Sequence, residues 1–210
     1  TALFTNLAGE IAKQGYDVFY INADLAMSDA AIPKRLALRD KWRLILPDAR
    51  DGDSVGAVTE ILRDMTNSAD DLSSVVIILD TVKKFADLQN KQAAKNVFML
   101  LRALNARGVT VIGLGHTKKY RDESGKLVFD GVGDLKTDVD ELIYIESYRR
   151  PDSNQTILTT YPDKKRAAIE RASFSITWDE YRGPELKRLD QIIDTRAIAV
   201  RDELIENERH

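Results

Sequence analysis

Asp80 ends the stretch SSVVIILDT, in which four consecutive β-branched residues precede Leu79. Such a run reads as a buried strand. A carboxylate at the carboxyl end of a buried parallel strand lies where open α/β sheets place their ligands. It could equally cap the next turn. Asp24 follows the strand-like YDVFYIN, inside NADLAMSDA, a stretch rich in helix-capping residue types. His116 closes VTVIGLGH and precedes TKK; a lone histidine after a strand can be a hydrogen-bonding sensor or a structural residue. Lys118, Lys119 and Arg121 flank Tyr120, and Lys126 lies near Phe129 across a glycine-containing turn. Cations beside aromatics suit single-stranded nucleic acid: cations hold phosphates, and an aromatic face stacks a base for about 1–3 kcal/mol. A solvated surface loop is the bland alternative. Lys164, Lys165 and Arg166 form a second basic cluster, between QTILTTY and ASFSITW.

The elements that must position these groups follow from periodicity. Leu3, Leu7 and Ile11, with Ala8 beside them, recur at helical spacing, and Gly15 closes the run. Strand-like runs follow at 16–22, 42–47, 73–80, 108–116, 141–147, 155–161 and 172–178. Helical patterns separate the first four, at roughly 28–40, 54–67 and 87–107. The last is the clearest, with Val97, Leu100, Leu101 and Leu104 on one face before Gly108. Alternating strands and helices, with strands apolar on both faces, imply a parallel sheet covered on both sides. The late strands lack intervening helices, and RPDSN at 150–154 is a turn signal, so antiparallel strands are expected at the C-terminal edge. The sequence also predicts one charged helix over 185–206, striped by Leu186, Leu189, Ile193, Val200 and Leu204. These patterns divide the chain into a core at 1–182 and a helical extension at 183–210.

Composition narrows the chemistry. With 210 residues and 43% hydrophobic content the chain can bury a sizeable core. A net charge of -3 gives no global basic field, so any nucleic-acid contact must come from a local patch. Cysteine is absent and only two histidines are present, His116 and the terminal His210, which excludes disulfides and thiolate metal sites. No apolar run reaches the roughly 18 residues of a membrane span. A soluble cytoplasmic domain is the expectation, in a bacterial or phage-infected cell.

Four stations, in order, carry a family resemblance. TALFTNLAGEIAKQGYDVFYINAD looks like the helix and strand that follow a Walker A motif, with Thr1 matching its final Ser/Thr. VVIILDT looks like Walker B, VIGLGHTKK like a strand ending in a polar γ-phosphate sensor, and TTYPDKKRAAIERASFSI like a late strand pair with a Lys-x-Arg motif. The chain thus resembles the RecA-like ATPases, most closely the RepA/DnaB-type hexameric helicases. The resemblance implies an α/β RecA-like fold and an ATP- and Mg²⁺-dependent motor for DNA replication, assembled as a ring-shaped homo-oligomer, a hexamer, on single-stranded DNA. Thr1 and Asp80 would hold the metal. Asp24, standing where the family usually has glutamate, would polarise the attacking water, and His116 would sense the γ-phosphate. Lys164 and Arg166 would reach the neighbouring subunit's nucleotide, and Lys118, Lys119, Tyr120, Arg121 and Lys126 would contact DNA in the channel. It also implies a strand and a Gly-rich loop ending in Gly-Lys just before Thr1, forming a nest of N–H groups around phosphate; without them nucleotide binding is expected to be poor. Two alternatives stand beside this reading: a RecA-like recombination or repair ATPase, and a nucleotide-binding assembly module that no longer hydrolyses ATP.

Overall fold

A computed structural model describes residues 2–47, 54–123, 125–131, 135–149, 153–179, 182–199 and 201. Thr1, Val200, Leu204 and the first three residues of the RPDSN turn lie outside the described residues. The chain divides into two compact units, Leu3–Asp138 and Val139–His210.

The first unit alternates helix and strand. Helix α1 (Ala2–Lys13) leads to β1 (Asp17–Asn22) through Gly15, whose φ of +92° permits the turn. A 3-10 turn at Met27–Asp29 precedes α2 (Ala31–Asp40), and β2 (Arg43–Ile45) comes after it. Next come α3 (Ser54–Asn67), β3 (Val75–Asp80), a 3-10 turn at Val82–Lys84, α4 (Lys91–Ala106) and β4 (Thr110–Leu114). Helix α4 begins at Lys91, not near 87, because the Asn90 side chain accepts hydrogen bonds from the Gln92 and Ala93 N–H groups and so caps it there.

The strands pair in parallel in the order β2-β1-β3-β4. Every residue of β3 is buried, which explains its unbroken apolar run. Alternation along the strands assigns the faces. Val18, Tyr20, Val76 and Ile78 pack with Ala8 of α1, with Leu36 and Ala37 of α2, and with Trp42. Helices α3 and α4 lie against one another, with Val97, Phe98 and Leu104 buried on α4.

Past β4 the charged stretch folds as an antiparallel ribbon, β5 (Thr117–Arg121) with β6 (Leu127–Phe129), and a short helix α5 (Leu135–Asp138) ends the unit. The sequence pattern presents this ribbon only as a polar loop, because its strands are short and β5 is mostly exposed.

In the second unit β7 (Leu142–Arg149), β8 (Gln155–Lys164), β9 (Ser173–Asp179) and β10 (Gly183–Arg188) form an antiparallel sheet in the order β10-β9-β8-β7. Here the expected helix over 185–206 is corrected. Gly183, with φ +83°, turns the chain back, and Glu185–Arg188 pair with Phe174–Thr177 of β9. Residues 189–194 are not helical; among the described residues helix appears only at 195–199 and 201. Leu186 and Leu189 have helical spacing, but strand pairing takes Leu186 opposite Ile176, and the Leu189 N–H donates to the Ser173 carbonyl. Tertiary pairing has overridden local periodicity.

Ile78 is fully buried at the centre of the parallel sheet, whereas Leu38 on α2 is 84% exposed. Urea unfolding should show Ile78→Ala losing about 2–5 kcal/mol, and Leu38→Ala changing stability by no more than about 0.5 kcal/mol.

Candidate functional site

The order β2-β1-β3-β4 reverses direction between β1 and β3: the chain passes from β1 outward to β2, then returns to β3 on the opposite side. A crevice opens at the carboxyl ends of the strands at such a switch point. Parallel register brings Asn22 and Asp80, the last residues of β1 and β3, side by side.

Asp80 is 6% exposed, and a carboxylate buried that far needs donors. Neighbouring β1 supplies them. Tyr20 and Asn22 share a face, being two residues apart on a strand. The Tyr20 hydroxyl donates to Asp80 Oδ2 at 2.6 Å, and Asn22 Nδ2 donates to the same oxygen at 3.1 Å. Among the described residues no side-chain donor reaches Oδ1. One carboxylate oxygen is therefore anchored by side-chain donors from β1.

Asn22 also shapes the turn after β1. Its Oδ1 accepts from the N–H groups of Asp24 and Leu25, at 3.0 and 2.9 Å, and the Ala23 N–H donates to the Asp80 carbonyl at 2.7 Å. This turn delivers Asp24 beside the start of the segment after β3. There the Thr81 hydroxyl donates to Asp24 Oδ2 at 2.9 Å, and Lys84 Nζ lies 3.0 Å from Asp24 Oδ1. The sequence suggests that Asp24 caps a helix or serves the site; its side chain caps neither α2 nor the 3-10 turn before it. Burial on its own would raise the Asp24 pKa, but hydrogen bonds from Lys84 and Thr81, with the charges of Lys84 and Lys83, outweigh it and hold the carboxyl below the ordinary carboxylate range.

His116 lies two residues beyond Leu114, which pairs with Asp80, so it stands at the same edge of the sheet. It is exposed, and its carbonyl accepts from the Asp130 N–H at 2.9 Å. The strand before it crowds its neighbours: a Cβ on Gly113 would meet Val82 Cγ2 at 2.7 Å, and one on Gly115 would meet Phe129 at 2.6 Å. Glycine at both positions lets the chain pass.

On the β5–β6 ribbon, Lys118 and Tyr120 share a face, with Lys118 Nζ 5.5 Å from the ring centroid. Tyr120 is 64% exposed. Arg121 Nη1 donates to the Gly125 carbonyl at 3.1 Å, and the Lys126 N–H donates to Asp122 Oδ1 at 2.9 Å, closing the turn.

Lys164 and Arg166 belong to the second unit. Lys164 ends β8 opposite Leu142 of β7. Arg166 pairs with Asp140, and the Arg166 and Ala167 N–H groups donate to Glu141 Oε1 at 3.0 and 2.9 Å. Sequence reasoning missed Tyr20, Asn22, Thr81 and Lys84, and missed Asp140 and Glu141 as the holders of the basic turn. The signal for the first pair was the alternation Tyr20-x-Asn22 running to the end of a buried strand. Thr1 lies outside the described residues. Among those residues no cluster of three or more His, Cys, Asp or Glu could hold a metal ion, and no helix is long and apolar enough to cross a membrane.

A carboxyl whose folded pKa is depressed stabilises the fold above its unfolded pKa, about 3.9 for aspartate, and that contribution fades as pH falls through the folded value. Lys84→Met should thus cost about 0.2–1 kcal/mol at pH 7, the range of exposed ion pairs. The cost should shrink as denaturation is repeated at pH values below about 4. A difference independent of pH would contradict the pairing.

No family profile matches the sequence, and no curated protein matches it either. Solved structures do. The chain is similar to the flagellar accessory protein FlaH from Methanocaldococcus jannaschii, 12% identical over 89% of this chain and 83% of that one, with a TM-score of 0.50. It is also similar to the RadB recombinase, 14% identical over 87% of this chain and 84% of that one, with a TM-score of 0.53. At these identities the likeness is one of fold: a RecA-like α/β architecture with a parallel sheet flanked by helices and added antiparallel strands.

Proposed function

We propose that this chain is a RecA-like ATPase module, of the recombination or repair kind, whose nucleotide lies across the carboxyl ends of β1, β3 and β4. The observation that carries the reading is Asp80: a buried carboxylate at the switch point, with Oδ2 held by Tyr20 and Asn22 and, among the described residues, no side-chain donor on Oδ1. The likeness in fold to a recombinase and to a flagellar accessory protein supports the coarser part. The helicase motor rests on the sequence resemblance alone.

The residues fit a phosphate-bound Mg²⁺. This ion takes only one or two carboxylates, with substrate oxygens and water completing its shell, so Asp80 Oδ1, with Thr1, would be donors enough. When bound, the ion would neutralise charge on the phosphates. Asp24 would orient water: the water oxygen attacks the terminal phosphorus, the bond to the ADP oxygen breaks, and the departing water proton passes to the carboxylate. His116, exposed at the end of β4, would hydrogen-bond the terminal phosphate.

Steady-state assays of the full-length protein, with whatever segment precedes Thr1 retained, test this. Asp24→Asn should lower turnover by about 10²–10⁴-fold with ATP affinity retained, and Asp80→Asn should abolish most Mg²⁺-dependent turnover. Parental rates in Asp80→Asn would refute the assignment.

The ring-helicase reading keeps one specific observation, the basic turn after β8. For Arg166 to serve a neighbouring subunit it must leave Asp140. As a finger it would contribute about 10³–10⁵-fold to rate and little to ATP binding. Arg166→Ala subunits mixed with Asp80→Asn subunits should then recover activity above either alone; mixed assemblies that stay inactive would remove the reading.

The β5–β6 ribbon is the proposed surface for single-stranded DNA. For each phosphate that Lys118→Ala or Lys119→Ala leaves unneutralised, the slope of log affinity against log salt should fall by about 0.7. An unchanged slope returns these lysines to the solvated surface.

A further inference from the structure

Both oxygens of Asp24 are engaged. Thr81 donates to Oδ2 and Lys84 pairs with Oδ1; a carboxylate oxygen can accept a second hydrogen bond, but the ammonium on Oδ1 competes with water for it and makes the carboxylate a weaker base. The two partners are not equally fixed. Thr81 is 5% exposed on a short side chain, and its neighbour Val82 is also buried. The Lys84 side chain is 45% exposed, and Asp24 faces solvent with 34% of its own side chain. An ion pair that open contributes little net stability, because water and salt screen it and holding a long side chain costs entropy. It is therefore easily exchanged for a stronger partner.

The competing partner is set by location. Lys84 ends the 3-10 turn that begins two residues after Asp80, at the phosphate edge of the sheet. Coulomb attraction scales with the product of the charges, so a doubly charged terminal phosphoryl group attracts an ammonium more strongly than a carboxylate does at equal distance. Lys83, next to it on the same turn, is also exposed and adds positive charge near Asp24.

We propose that Lys84 is a detachable partner of Asp24: it occupies the carboxylate in the nucleotide-free protein and transfers to the terminal phosphoryl group of a bound nucleoside triphosphate, freeing Asp24 Oδ1 for water. A diphosphate lacks that group and leaves the pair intact. The site would thereby withhold its water-orienting carboxylate until a triphosphate is present. This inference rests on the nucleotide reading of the site.

Calorimetric titration of the full-length protein with the β,γ-imido analogue of ATP, and separately with ADP, tests it. Lys84→Met should weaken the triphosphate analogue by about tenfold or more, the scale of a charged hydrogen bond, and leave ADP unchanged. Lys84→Arg should keep most of the preference. Lys83→Met should shift the ratio by no more than about twofold, as a screened surface charge would. The carboxyl-carbon resonance of Asp24 at neutral pH should move when the analogue is added to the parent protein and stay put with ADP. Equal loss of both nucleotides in Lys84→Met, no loss of either, or an Asp24 resonance indifferent to the analogue overturns the transfer and leaves the nucleotide site standing. Failure of the parent protein to bind either nucleotide overturns the site and the transfer together.

Discussion

A carboxylate buried at the end of the central strand is the constraint from which the rest of the site follows. A polar group at 6% exposure needs hydrogen-bond partners, and for Asp80 the strand beside it supplies them. Tyr20 and Asn22 are that supply, and they reach Asp80 only in the register that pairs Tyr20 with Ile78 and Asn22 with Asp80. A slip of one residue would send both side chains to the opposite face of the sheet. The same Tyr20 ring packs 5.7 Å from Trp42, so the group that holds the carboxylate is itself held by the core under α1 and α2. Packing, register and site are one arrangement here.

From that anchor the site extends through short polar links. Asn22 gives its amide N–H to Asp80 and its carbonyl oxygen to the turn carrying Asp24. Thr81 and Lys84, just past Asp80, close the circuit on Asp24. Each link spans two neighbouring strand ends, and none depends on a long loop. The second unit keeps a comparable economy: Glu141 receives two backbone N–H groups of the basic turn while Asp140 takes the Arg166 side chain.

The sequence made the parallel strands of the first unit legible because they are apolar runs, and Gly15 marks where α1 stops; the start of α4 was read a few residues early, because the Asn90 cap was not recognised. Asp80 was legible for the same reason, as a charge ending a run that has no other. The features that escaped are those that pairing creates. The β5–β6 ribbon carries no alternation to read, and β10 carried a false one, since Leu186 and Leu189 are spaced for a helix while pairing with β9 makes a strand. Lys84 and Thr81 looked like ordinary turn residues; their role depends on Asp24, 57 residues earlier than Thr81, which only the sheet brings near. Tyr20 read as one more core aromatic, and its hydroxyl gained meaning only from Asp80 across the register.

The central claim is that a nucleotide sits at the carboxyl edge between β1 and β3. Backbone amide NMR of the full-length protein during titration with Mg²⁺ and the β,γ-imido ATP analogue addresses it most directly. The account predicts the largest saturable shifts at Asn22–Leu25, at Thr81–Lys84 and around Gly115–His116. Saturable binding whose shifts avoid all three segments, or no binding at millimolar analogue, would contradict it.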